Sequence, residues 1–93
     1  MSEERNVVYI GRKPVMSYVL AVITHFNTPD VKEVVLKARG MSITTAVDVA
    51  EITRRRFMDK LKVDKINIGT EEMKQEDGRA RAVSFMEIVL KLS

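Results

Sequence analysis

Apolar and polar positions change period several times along the chain, and each change marks an element. Asn6 to Gly11 holds the short apolar run Val7-Val8-Tyr9-Ile10 closed by a glycine, which predicts a strand. From Pro14 to about Phe26, Val15, Met16, Val19, Leu20, Val22, Ile23 and Phe26 recur at helical spacing on more than one face. That pattern predicts a largely buried helix, opened by a proline whose missing N–H costs nothing in the first turn. Asn27-Thr28-Pro29-Asp30 is turn chemistry. In Val31 to Arg39, Val34, Leu36 and Ala38 alternate with Glu33, Val35, Lys37 and Arg39, a strand with one better-buried face. Gly40 breaks the run, and Ser42 is placed to cap a helix from Ile43 to about Met58. From Lys62 the period of two returns as a long hairpin: Lys62 to about Glu76, a turn at Asp77-Gly78, and Arg79 to Leu92. The order β-α-β-α-β-β predicts an α+β two-layer sandwich. It has a mixed four-stranded sheet, both helices on one face and a long C-terminal β-hairpin arm.

Ninety-three residues, 45% of them apolar, read as a single domain over 1–93 with a modest core that gains from association. Residues 1–5, Met1-Ser2-Glu3-Glu4-Arg5, are polar and acidic; they read as a flexible start and not as a secretory signal. Absence of cysteine excludes disulfides and thiolate metal sites. No apolar run approaches the roughly 20 residues that span a bilayer, so no membrane partner is expected and the cytoplasm is the expected compartment. A net charge of +3 leans only slightly toward polyanions.

Placement of the cations matters more than their sum. A strand-helix-strand crossover makes the first two strands parallel, so their C-terminal ends share one edge of the sheet. Arg12 and Lys13 follow the first strand at that edge and Arg39 ends the second. Both helices also begin there with free N–H groups, which favour anions. Hairpin arms of this length reach roughly 40 Å, beyond what a helix layer covers. The tip, residues 70–82, offers only Met73 and alanines to a core, so it should project as a ribbon carrying Lys74, Arg79 and Arg81. Arg79 and Arg81 are two apart and share a face, and a two-stranded ribbon fits a nucleic-acid groove.

Catalytic chemistry is sparse. His25, the only histidine, ends an apolar helix and reads as a dipole partner or surface residue; no serine has a base near it, and no carboxylates show metal-ligand spacing. Neither enzyme activity, a metal nor a cofactor is expected. Arg54-Arg55-Arg56 closes the second helix, with Glu51 spaced to pair with Arg55. Phe57 beside them is badly placed for an internal core and suggests contact with another subunit. The other aromatics, Tyr9, Tyr18, Phe26 and Phe85, read as core or interface, which argues against stacking on single strands.

Ile10-Gly11-Arg12-Lys13-Pro14-Val15-Met16-Ser17-Tyr18-Val19, Lys37-Ala38-Arg39-Gly40 followed by Ile43 and Ala46-Val47-Asp48, and Gln75-Glu76-Asp77-Gly78-Arg79 together resemble the Alba family of archaeal chromatin proteins. The similarity runs in order from Asn6 to Leu90. It implies a homodimer that binds double-stranded DNA, and RNA, with little regard to sequence, associated with the chromosome, which it coats and compacts. It assigns nucleic-acid contact to Arg12, Lys13, Arg39, Arg79 and Arg81, and a dimer–dimer contact on DNA to Phe57. Two positions depart from the family pattern. The first loop cation, commonly an acetylatable lysine, is Arg12, so regulation by acetylation and a deacetylase would fall on Lys13 or elsewhere. Met41 stands where a basic residue is usual. An RNA-directed protein of a ribonucleoprotein, and a small enzyme or sensor for a phosphorylated metabolite, are the rival readings.

Overall fold

In the computed structural model, which describes residues 6–92, the chain runs β1 (Val7–Tyr9), α1 (Val15–Phe26), β2 (Glu33–Arg39), α2 (Ser42–Ile52), a π-helical turn (Thr53–Phe57), β3 (Leu61–Lys74) and β4 (Ala80–Leu92). Residues 1–5, expected to be flexible, lie outside that range. The sheet order is β1-β2-β4-β3. β1 and β2 are parallel with Val8 opposite Leu36, while β4 is antiparallel to both β2 and β3. This is the expected mixed four-stranded sheet.

Alternation along the strands sorts side chains between two faces. Val8, Leu36 and Ile88 stand in one cross-sheet row, flanked by Val34, Ala38 and Leu90. All six are buried in one cluster with Val19 and Val22 of α1 and Ala46, Val49 and Ala50 of α2. Both helices therefore cover that face. Tyr9, Lys37, Arg39, Phe85 and Glu87 alternate with this set and occupy the face without helices.

Several local expectations are corrected. α1 is less buried than its composition suggests, because only one stripe meets the sheet: Met16 and Leu20, one turn apart, are exposed. Ser42 is the first helical residue and not the cap; Met41 holds the cap position without a side-chain bond, and the Ser42 hydroxyl leans toward the Gly11 carbonyl at 3.4 Å. The helical run reaches Phe57, next to the expected Met58, but its α-helical part ends at Ile52. There the buried Thr53 turns its hydroxyl back onto the Val49 carbonyl at 2.7 Å, a bond that bends helices. The wider turn is closed by the Met58 N–H donating to the Thr53 carbonyl at 2.8 Å. Strands one and two are shorter than expected, since Gly11 leaves the ladder for Tyr18 and Val31 belongs to the turn before β2.

The hairpin pairs from Leu61 opposite Leu92 to Lys74 opposite Ala80, with a bulge between Val63 and Lys65. β2 accompanies β4 only as far as Arg39 opposite Phe85, and the Gly40 N–H then donates to the Ser84 carbonyl at 2.8 Å. Beyond that point the ribbon is two-stranded. Its turn is a three-residue loop, Glu76-Asp77-Gly78, and not a two-residue one. The Gly78 N–H bonds the Gln75 carbonyl at 3.0 Å, the Gln75 N–H bonds the Arg79 carbonyl at 2.8 Å, and Gly78 takes φ +88°. That is a type I turn with a left-handed glycine.

Where the ribbon leaves the sheet, the Phe85 ring folds over Gly69, its cross-strand partner on the face without helices. A Cβ at Gly69 would lie 2.6 Å from the ring. Gly69→Ala should therefore destabilise the fold by about 1–3 kcal/mol through overpacking. In a Phe85→Ala background the same change should be neutral or stabilising, because alanine is the better strand residue once the ring is gone. Urea midpoints at one protein concentration measure the coupling; equal Gly69→Ala effects in both backgrounds would refute it.

Candidate nucleic-acid interface

Parallel pairing of β1 and β2 brings the β1–α1 and β2–α2 connections to one edge. In the first, Arg12 and Lys13 are exposed, and among the described residues neither side chain has an ion-pair partner. The backbone under them is fastened by Tyr18, one turn into α1. Its buried hydroxyl accepts the Gly11 N–H and the Lys13 N–H, each at 2.9 Å. This alters the expected site: two loop amides face Tyr18 and not an outside anion, so the positive character of the loop rests on its two side chains and the first amides of α1. The sequence reads Tyr18 as a core or interface aromatic; the structure buries it and adds a role for its hydroxyl that the sequence does not signal.

Arg39 sits at the same edge, but alternation turns its side chain to the face without helices. There its guanidinium meets Glu71 Oε1 and Met73 Sδ, each at 3.3 Å. It is thus engaged with residues at the base of the arm. Exposed pairs of this kind contribute at most about 1 kcal/mol, so a phosphate can compete for the cation. Arg81 stands opposite Met73 on that same face, exposed along the two-stranded ribbon. Arg79 lies at the turn, exposed, with Nε 3.2 Å from Asp77 Oδ2 while its N–H bonds Asp77 Oδ1. Met41 is almost fully exposed beside the loops.

At the far end of α2, Glu51 engages Arg54 and not chiefly Arg55. Its carboxylate accepts from Arg54 Nε at 2.6 Å and Nη2 at 3.1 Å, while Arg55 stays 4.0 Å away. The hydrogen bonds from Arg54 hold the Glu51 carboxyl below its ordinary value of 4.5. Phe57 closes the π-helical turn with half of its surface exposed. On the helix side of β3, Val63, Ile66 and Ile68 are exposed too, since they pair with Leu90, Ile88 and Met86 beyond the reach of α2. Among the described residues, no group of three or more His, Cys, Asp or Glu could hold a metal ion, and no helix is long and apolar enough to cross a membrane.

The Alba family model matches residues 6–70. A DNA/RNA-binding protein Alba from Methanococcus maripaludis is 52% identical over 85 residues, covering 91% of this chain and 96% of its own. The DNA/RNA-binding protein Alba 1 of Archaeoglobus fulgidus is 53% identical over 85 residues, covering 91% and 93%. Among solved structures, Alba from Thermoplasma volcanium superposes with a TM-score of 0.86 at 45% identity, covering 92% of this chain and 99% of that one. ALBA1 from Trypanosoma brucei gives 0.74 at 26% identity, covering 99% and 73%.

Tyr18→Phe should leave the Gly11 and Lys13 amides without their acceptor. The expected cost is about 1–3 kcal/mol in stability and faster hydrogen exchange at those two amides. Unchanged exchange there would mean that the loop is held by something other than Tyr18.

Proposed function

The chain belongs to the Alba family, and we propose that it is a non-enzymatic protein that binds double-stranded DNA, and RNA, through phosphate contacts with little sequence preference. The observation that carries this reading is the loop of Arg12 and Lys13: two exposed cations, without ion-pair partners among the described residues, on a backbone clamped from below by Tyr18. A fixed pair of charges at a helix N-terminus suits phosphate oxygens, and phosphate contacts position a protein without reading bases. Arg39 adds a cation between loop and arm. Arg79 and Arg81 place two more on the ribbon, where a narrow minor groove would attract them.

The working unit in this reading is a homodimer. Val63, Ile66 and Ile68 form an uncovered apolar row on an edge strand, of the kind that marks a protein–protein contact. A two-fold axis doubles the basic edge and sets two arms against one duplex. Phe57, half-exposed among arginines, then serves contact between neighbouring dimers on DNA, so that the protein coats and compacts the chromosome to which it is bound in the cytoplasm. Lys13 is the loop amine on which acetylation would remove a charge, with a deacetylase as the partner that restores it.

Binding to random duplex DNA should fall steeply with salt, with a log–log slope near −5 if about six phosphates are neutralised per dimer. Arg12→Ala with Lys13→Ala should flatten that slope and weaken all sequences alike at unchanged melting temperature. A salt-independent affinity, or full binding by the double variant, would refute the phosphate-contact reading. For the arm, Arg79→Glu with Arg81→Glu should cost more affinity than Lys62→Glu with Lys65→Glu at the hairpin base. Equal losses would show that only net charge matters.

A further inference from the structure

The face of the sheet without helices holds, beside Arg39, a groove whose aromatic residues phosphate binding does not use. Tyr9 is 60% exposed there, although its place in an apolar run suggested a core or interface role. It overlooks an open groove of about 380 Å³, lined on this face by Lys37, Arg39, Glu71, Phe85 and Glu87, a size within the range of small-ligand sites. β2 runs between the strands of Tyr9 and Phe85, and Phe85 pairs with Arg39, two residues beyond the Lys37 that pairs with Tyr9, so the two backbone positions stand about 12 Å apart, with the Phe85 ring turned outward over Gly69. Around the groove each cation has a carboxylate beside it. Lys37 Nζ lies 3.7 Å from Glu87, and Arg39 lies 3.3 Å from Glu71.

With an exposed aromatic ring and a carboxylate beside each cation, the groove attracts phosphate less than the Arg12–Lys13 loop does. It suits a planar, uncharged ligand rich in hydrogen-bonding groups, with the carboxylates as acceptors and the cations as donors around its rim. We propose that this face binds an unpaired nucleobase of a single-stranded nucleic acid, stacked on Tyr9. The proposal rests on the phosphate role assigned above to Arg12 and Lys13. Tyr9 ends β1 just before that loop, so a strand whose phosphates sit on the loop can turn a base onto the adjoining face. A duplex keeps its bases stacked on one another and has none to offer. The loop thus serves both kinds of nucleic acid, while the groove serves only the single-stranded one.

The chain has two tyrosines and no tryptophan, so tyrosine emission reports directly on stacking. The probes are a short oligoriboadenylate, the matching oligodeoxyadenylate and a random DNA duplex of equal length, titrated into the full-length protein. Single strands should quench the emission, and Tyr9→Leu should abolish the quench and weaken single-strand binding roughly tenfold, within the span of one base–aromatic stack. Tyr9→Phe should retain single-strand affinity, and both variants should bind the duplex as the parent does. Quenching by the ribose strand, the deoxyribose strand or both identifies the source of the base. Undiminished single-strand binding by Tyr9→Leu, equal loss of single-strand and duplex binding, or no binding of either single strand would overturn the proposal. A parent protein that ignores the duplex yet shows the Tyr9-dependent quench would refute the duplex reading and leave the stacking site standing.

Discussion

Parallel pairing of β1 with β2 is the constraint on which the surface chemistry of this protein depends. β1 is only three residues long, yet the Val35 N–H bonds the Asn6 carbonyl and the Ile10 N–H bonds the Lys37 carbonyl, each at 2.9 Å, so its register is held at both ends. A slip of one residue would send Val8 to solvent and Tyr9 into the core. With the register held, both connections to helices leave the sheet at one edge, Arg12 and Lys13 are carried there, and Tyr9 is left facing out on the opposite layer. The helix side supplies the driving force, through the buried row of Val8, Leu36 and Ile88 against Val19, Val22 and Val49.

From that arrangement follows a division of labour between the two faces of one sheet. The helix face is apolar and continues past the cover of α2 onto β3, where Val63, Ile66 and Ile68 stay in solvent in a single chain. The bare face carries ion pairs, aromatics and Arg81 of the arm. Phe85 links sheet to arm by lying over Gly69, which lets the ribbon leave the sheet without a gap behind it. The cations fall into two kinds. Among the described residues Arg12 and Lys13 make no ion pair, whereas Arg39 and Arg79 each lie beside a carboxylate.

The order of elements, the parallel crossover and the core strands were legible in the sequence because each rests on local signals: alternation in Val34 to Arg39, a proline at a helix start, Asp77-Gly78 at a turn. What escaped reading depends on contacts between elements. Tyr18 has the spacing of a core residue, and only the folded loop shows its hydroxyl taking two amides. Glu51 has Arg54 and Arg55 both within helical reach, and the π-helical turn after Ile52 accompanies the closer pairing with Arg54. Tyr9 and Val7 alternate with Val8 in a run that is apolar throughout, so the sequence does not say which face is covered. Alternation from Val34 to Arg39 put Arg39 on the less buried face, and only its pairing with Glu71 and Met73 of the arm depends on contacts between elements.

The central claim is that one edge of the sheet and one ribbon together form the surface for duplex nucleic acid. Amide chemical-shift mapping during titration with a random DNA duplex tests it most directly. The account predicts the largest changes at Arg12, Lys13, Gly40 and Met41 and along the arm from Met73 to Arg81, with little change at Asn27 to Lys32 on the opposite edge. Changes centred on Asn27 to Lys32, with the Arg12–Lys13 loop and the arm unmoved, would contradict it.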